Sequence, residues 1–318
     1  MENQGNTESN EKIIEEEKKE EENILGNTDF PIEGMEEITY LNCRFKKISN
    51  LHLCPNLNYL CLRRNLITEI SGLSPVPQLR ELELYDNKIK KIEGLSSCVN
   101  LEILDLSYNL IRTIENLETL TNLKKLFLIS NKIVKIEGLS ALQNLHLLEL
   151  GANRIKTIEN LEGLSNLKEL WLAKNKITKI ENISHLTTLE VLSIAANKLE
   201  SIEGVETLVN LYQLLVNENK ITEIQNVSTL TELNTFDLSD NLISKIQNID
   251  TLQNLEEFWL TNNKVELFTE LENLSKLRNL KTVYLERCPV YFFPDYKMKI
   301  LQVCPGIKQI DALMVNNY

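Results

Sequence analysis

Six cysteines and three histidines are the side chains of this 318-residue protein best suited to metal binding, disulfide formation or nucleophilic attack. A structural zinc site needs closely spaced ligand pairs, and a disulfide framework needs an oxidising compartment. The spacing supports neither. No Cys-x-x-Cys occurs, and Cys43, Cys54, Cys61, Cys98, Cys288 and Cys304 are scattered along the chain. His52, His146 and His185 fall in unrelated surroundings and form no His-Glu-x-x-His pair. There is no phosphate-binding glycine loop and no nucleophile elbow. The residues therefore predict no enzyme, no metal and no cofactor.

Composition narrows the class further. With 34 Lys+Arg against 46 Asp+Glu, the net charge is −12 and the pI is about 5.0, which excludes the basic stripe of a nucleic-acid binder. A content of 42% apolar and 25% charged residues is that of a folded chain. No run approaches the ~18 apolar residues of a membrane span. The first residues, MENQGNTESNEKIIEEEKKEEEN, lack the basic and apolar regions of a signal peptide, so an intracellular protein is expected. Three Asn-x-Ser sequons, such as Asn182-Ile183-Ser184, then carry no weight. Ten acids and three lysines within residues 1–30 put −7 of the charge in one tail, too polar to offset its chain entropy and expected to be disordered.

The elements that hold everything else are set by a repeat. Asn recurs every 22 residues at 65, 87, 109, 131, 153, 175, 197, 219, 241 and 263. Around Asn175, apolar residues stand three, five and eight places before it (Leu172, Leu170, Leu167) and two and five after it (Ile177, Ile180). The unit L-x-x-L-x-L-x-x-N-x-I-x-x-I is a leucine-rich repeat. One step back from Asn65 lands on Cys43; one step beyond Asn263 is delayed by three residues and lands on Cys288. Twelve repeats result, filling residues 31–290, with residues 291–318 as a C-terminal cap.

Leu-x-Leu alternation is a two-residue period, so each repeat contributes a short strand with its leucines inward. Stacked repeats make an α/β solenoid, a horseshoe with a parallel concave sheet and short helical or 3₁₀ turns on the convex side. Each Asn amide is expected to bond backbone groups where the chain leaves its strand. Cys43 and Cys288 take that position, Cys54 and Cys98 replace an outer-face Leu, and Cys61 falls on the exposed strand row. Glycines in Glu-Gly-Leu (Gly94, Gly138, Gly163) answer a backbone need.

Between the inward leucines, four places before each Asn, lies a row facing the concave surface. It reads Cys61, Glu83, Asp105, Phe127, Glu149, Trp171, Ser193, Leu215, Asp237, Trp259 and, past the insertion, Tyr284. Both tryptophans of the chain are on it. Large aromatics beside carboxylates suit a protein partner carrying Arg or Lys, because Trp and Tyr dominate interface energetics. β-propensity alone would also tolerate aromatics here. A second row, two places further back, includes Glu257.

After the repeats come Thr282-Val-Tyr-Leu-Glu-Arg-Cys-Pro289, Pro294-Asp-Tyr-Lys297 and Cys304-Pro-Gly-Ile-Lys-Gln-Ile-Asp311. Met298, Ile300 and Leu301 are expected to cover the last repeat's open core. With the uninterrupted repeats and the acidic tail, this ending resembles the leucine-rich-repeat regulatory subunits of type 1 Ser/Thr protein phosphatase. The resemblance runs over residues 35–315. It implies a non-catalytic subunit, a monomer when free, that grips the phosphatase catalytic subunit with its concave face and controls its activity, maturation and localisation. A third, inhibitory subunit is compatible with it, as are nucleus and cytoplasm. Carried over position by position, Asp105, Phe127, Glu149, Asp237, Glu257, Trp259 and Tyr284 match the family's contacts. Trp171 stands where the family has Phe, and Cys288 where it has Asn. The competing expectation is a scaffold for a ribonucleoprotein or a ciliary or cytoskeletal assembly.

Overall fold

The computed structural model describes Leu25 and residues 32–315. The acidic tail assigned to residues 1–30 thus lies, Leu25 excepted, outside the described residues. Two compact units divide the chain, Met1–Asn131 and Lys132–Tyr318.

The first unit carries β1 (Glu37–Thr39), β2 (Tyr59–Cys61), β3 (Glu81–Glu83), β4 (Ile103–Asp105) and β5 (Lys125–Phe127), three residues each and all parallel. Their register advances by one repeat per strand: Leu60 faces Leu82, which faces Leu104, which faces Leu126. These central residues are 0% exposed, and Leu62, Leu84, Leu106 and Leu128, each two places on, are equally buried. Alternation therefore does what a two-residue period requires.

The second unit continues with β6 (Leu147–Glu149), β7 (Glu169–Trp171), β8 (Val191–Ser193), β9 (Gln213–Leu215), β10 (Thr235–Asp237), β11 (Glu257–Trp259) and β12 (Thr282–Tyr284), again parallel. Two further strands follow β12. β13 (Gln309–Ile310) pairs parallel with β12, and β14 (Leu313–Met314) turns back antiparallel on β13.

The repeated Asn does its expected work. Asn87 Oδ1 accepts from Ile67 N at 3.0 Å, and its Nδ2 donates to Leu62 O and Leu84 O, both at 3.0 Å. Asn109, Asn175, Asn219, Asn241 and Asn263 repeat the pattern. Each amide ties two repeats together and satisfies donors and acceptors that the bend would strand inside. Cys288 substitutes in kind: its Sγ donates to Leu260 O at 3.1 Å and accepts from Asn263 N at 3.4 Å.

Two further polar ladders accompany this one. Seven residues after each repeated Asn from Asn65 to Asn241 the backbone is left-handed, and the position is held by Gly or by a second Asn. At Gly94 (φ +69°) a Cβ would meet Ile70 O at 2.1 Å. At Asn116 (φ 58°) the side chain bonds the equivalent carbonyl, Ile92 O, at 2.6 Å. Asn182 and Asn226 likewise donate Nδ2 to Ile158 O and Ile202 O, which explains those two sequons as backbone devices. Gly163 does not belong with Gly94 and Gly138: its φ is not positive, and it is needed because a Cβ would lie 2.6 Å from Ser140 O. Nearer the strands, Asn100, Asn122, Asn166, Asn210 and Asn254 each donate to a carbonyl of the preceding repeat at 2.8–3.0 Å.

The outer side is mostly turns with i to i−3 hydrogen bonds, such as Cys98 N to Leu95 O and Leu101 N to Cys98 O. Among the described residues only Leu51–Leu53, Phe268–Lys276 and Pro289–Phe292 are 3₁₀ helices. The nine-residue segment Phe268–Lys276 absorbs the three-residue insertion before Cys288.

α1 (Tyr296–Val303) packs on Phe268–Lys276, with Lys299 Nζ 2.8 Å from Glu272 Oε1. Here the expectation for the cap needs correcting. Ile300 is fully buried, but Met298 is 68% exposed and Leu301 only half-buried. Tyr296, Ile300, Ile307 and Ile310 supply the buried surface instead. On a helix, Tyr296 and Ile300 share a face at i, i+4, whereas Met298 lies on the opposite one. Tyr296 Oη then donates to Asp311 Oδ2 at 3.2 Å, and Asp311 Oδ1 accepts from Leu285 N at 2.9 Å.

Candidate functional site

The strand centres are spent on the core, so the flanking positions make the sheet face. In the first unit that face holds Cys61, Glu83, Asp105 and Phe127 in register on successive strands. Cys61 is not exposed as expected: it is 3% exposed, because Tyr59 Oη reaches Glu83 Oε2 at 3.3 Å across the neighbouring strand. Burial, reinforced by Glu83, pushes its thiol pKa up, so it is a poor nucleophile.

Arg63 organises the carboxylates of this unit. Its Nε lies 2.8 Å from Glu83 Oε2, its Nη2 is 3.4 Å from Asp105 Oδ2, and its guanidinium sits 5.5 Å from the Tyr85 ring centroid. Asp105 is 7% exposed and also accepts from Ser107 N at 2.9 Å. Burial raises its pKa, opposed by Ser107 and Arg63. Phe127 is half-buried.

The sheet face of the second unit is differently charged. In register stand Glu149 beside Trp171, then Ser193, Leu215, Asp237, Trp259 and Tyr284. Glu149 Oε1 accepts from Gly151 N at 2.7 Å, and burial raises its pKa to about 7. Asp237, 8% exposed, accepts from Ser239 N at 2.9 Å; burial raises its pKa, with Asp240 and Glu218 adding repulsion. Among the described residues, none of Glu149, Glu218, Asp237, Asp240 and Glu257 has a Lys or Arg ion pair. Glu83 and Asp105 on the first unit's row thus have Arg63, whereas the row acids of the second unit have no such partner among the described residues.

The aromatics of the second unit also differ from one another. Trp171 Nε1 donates to Glu169 Oε2 at 3.0 Å, a contact within its own strand. Trp259 Nε1 is buried and has no acceptor, although Glu257 occupies the equivalent place. Trp259 and Tyr284 meet edge to face, 5.9 Å between centroids at 73°. Tyr284 Oη accepts from Gln309 Nε2 at 2.6 Å.

Of the eight candidate residues, the first unit thus brings Asp105 and Phe127 onto neighbouring strands, and the second brings Glu149 next to Trp171 and groups Asp237, Glu257, Trp259 and Tyr284. Sequence reasoning missed Arg63 and Gln309. Arg63 and Gln309 stand outside the row, and only the fold carries their side chains to it.

Among the described residues, no group of His, Cys, Asp and Glu could hold a metal ion, and no helix is long and apolar enough to cross a membrane. The free cysteines are all buried save half-buried Cys43.

A family model described as "Leucine Rich repeats (2 copies)" matches residues 77–119, 121–163, 143–185 and 165–207. Protein phosphatase 1 regulatory subunit 7 of Homo sapiens is 44% identical over 51 residues, which is 16% of this chain and 14% of that protein. The Mus musculus protein is 46% identical over the same length. Solved structures match over far more of the chain. An internalin of Listeria monocytogenes has a TM-score of 0.74 at 25% identity, covering 89% of this chain and 88% of its own. A leucine-rich-repeat protein of Leptospira interrogans has a TM-score of 0.70 at 26% identity, covering 83% and 75%. Repeat, register and fold agree: the chain is a leucine-rich-repeat solenoid.

Proposed function

We propose that this protein is a non-catalytic regulatory subunit that binds the catalytic subunit of type 1 Ser/Thr phosphatase through its sheet-face row, in nucleus and cytoplasm. A leucine-rich-repeat scaffold is consistent with a protein-binding role. The observation that carries the finer reading is the second unit's face, where both tryptophans and Tyr284 stand among carboxylates with no Lys or Arg ion pair among the described residues. A basic protein surface with apolar pockets complements that arrangement: Trp171, Trp259 and Tyr284 fill pockets, while Glu149, Asp237 and Glu257 meet Lys or Arg. On the first unit, Phe127 and Asp105 offer an aromatic and a carboxylate on neighbouring strands. The match to the phosphatase subunits over 51 residues supports the choice of partner.

Titration of the purified catalytic subunit into the wild type and into an Asp237→Ala/Trp259→Ala variant tests the reading. Tight binding lost in the variant supports both partner and face. Binding retained in the variant moves the site elsewhere. No binding by the wild type removes the phosphatase, and capture of a spliceosomal or axonemal protein would then favour the competing scaffold.

A further inference from the structure

Tyr284 is held from outside its own repeat. Gln309, on β13, lies one strand beyond β12, in register with Thr282, so its side chain shares the sheet face with Tyr284. Gln309 Nε2 is 2.6 Å from Tyr284 Oη and 2.9 Å from the backbone carbonyl of Asp311. A carbonyl oxygen only accepts, so the group facing it is the amide NH₂, and both of its hydrogens are committed. The Tyr284 oxygen is consequently an acceptor toward Gln309, and its own proton is left to donate elsewhere.

The anchor behind Gln309 is rigid. Asp311 takes a left-handed backbone (φ 54°), is 4% exposed, and bonds Leu285 N and the buried Tyr296 hydroxyl. The chain from α1 to Asp311 to Gln309 to Tyr284 is continuous, and Tyr284 in turn braces Trp259 edge to face.

We propose that Gln309 is a positioning residue of the partner-binding surface: it fixes the Tyr284 ring against Trp259 and turns the Tyr284 hydroxyl into an outward donor. This rests on the reading of that face as the binding surface. The partner group it would meet is an acceptor oxygen. With Glu257 on the neighbouring strand and Asp237 one strand further on, a neutral backbone carbonyl is favoured over a carboxylate, which they would repel. The cap then acts on recognition as well as closing the core.

The test has two arms. In the free chain, with Trp171→Phe leaving Trp259 as sole emitter, Gln309→Met is expected to shift Trp259 emission and near-ultraviolet dichroism while the thermal midpoint stays near that of the parent. Unchanged emission overturns the proposal whether or not the phosphatase binds. In the second arm, affinity for the phosphatase catalytic subunit is measured for Gln309→Met, Tyr284→Phe and the double variant in the otherwise wild-type chain. Each single change is expected to weaken binding about fivefold to tenfold, and the double change no more than the stronger single one, since both act through one hydroxyl. Additive losses, or wild-type affinity for Gln309→Met, overturn it. Absence of binding by the wild type counts against the proposed partner alone, and the optical arm still decides the role of Gln309.

Discussion

The Glu149 carboxylate accepts the backbone N–H of Gly151 at 2.7 Å, and the same two-residue step joins Asp105 to Ser107 and Asp237 to Ser239 at 2.9 Å. Acids of the sheet-face row therefore serve the backbone as well as any partner: each occupies an N–H that leaves its strand facing the sheet surface. One oxygen is committed to the backbone; the second oxygen of Asp105 faces Arg63 Nη2 at 3.4 Å, whereas Glu149 and Asp237 have no Lys or Arg ion pair among the described residues. Removing such an acid costs a backbone bond in addition to a charge, so isosteric amides are the cleaner probes.

The burial of Glu149 predicts a pH dependence. Its pKa is raised from about 4.5 to about 7 by burial, so the folded state holds the proton more tightly than the unfolded state. Stability from this group is present in full below the unfolded pKa and is lost as pH rises through the folded one. The wild type is expected to lose stability relative to Glu149→Gln between about pH 4.5 and pH 7, the window set by those two values. Denaturant melts of both proteins across that window measure it. Parallel curves would show that Glu149 ionises freely. Asp105 and Asp237 are raised too, which is why the comparison is between the two proteins and not along one curve.

The polar ladders should rank by burial. Asn109 is 5% exposed and makes four hydrogen bonds, whereas Asn100 is only half-buried and makes one to Pro77 O. Asn109→Ala is expected to destabilise by about 1–3 kcal/mol or more, through stranded buried carbonyls. Asn100→Ala should cost at most about 0.5 kcal/mol, because water replaces the amide. Urea midpoints at constant m-value compare them, and equal losses would refute the ranking.

The cap can be separated into its structural and its idle residues. Asp311→Ala removes an acceptor from Leu285 N and from the buried Tyr296 hydroxyl, and is expected to cost about 1–3 kcal/mol. Met298→Ala touches a side chain that is 68% exposed and should stay within about 0.5 kcal/mol of wild type. Thermal melts that put Met298→Ala below Asp311→Ala would return the cap to the apolar arrangement expected from the sequence.

The two tryptophans are expected to differ on binding. Trp259 has a buried N–H with no acceptor and Trp171 has Glu169, so Trp259→Ala should cost about 2 kcal/mol or more of affinity for the phosphatase catalytic subunit. Trp171→Phe, which keeps an aromatic ring, should cost less. Calorimetric titration of each variant measures this, and a larger loss at Trp171 would reverse the assignment.

By itself the sequence determined the repeat, its register and which residues share the sheet face. A 22-residue period with a two-residue alternation inside it leaves one way to bury Leu82, Leu104 and Leu126 while bonding Asn87 and Asn109, so these features are local and additive. It also placed Asp105 and Phe127 on one row of the first unit, and Glu149, Trp171, Asp237, Trp259 and Tyr284 on one row of the second, because register alone decides that. What the tertiary structure decided is how much of each side chain is free. Whether Asp105 meets Arg63, whether Cys61 lies under Tyr59 and Glu83, and whether Met298 or Tyr296 turns inward depend on neighbours one repeat or one cap element away. The same is true of Gln309 and Tyr284, which are 25 residues apart in the chain and 2.6 Å apart in space. Periodicity carries the backbone from one repeat to the next, but long side chains reach across repeats, and their final partners follow from packing and charge in three dimensions.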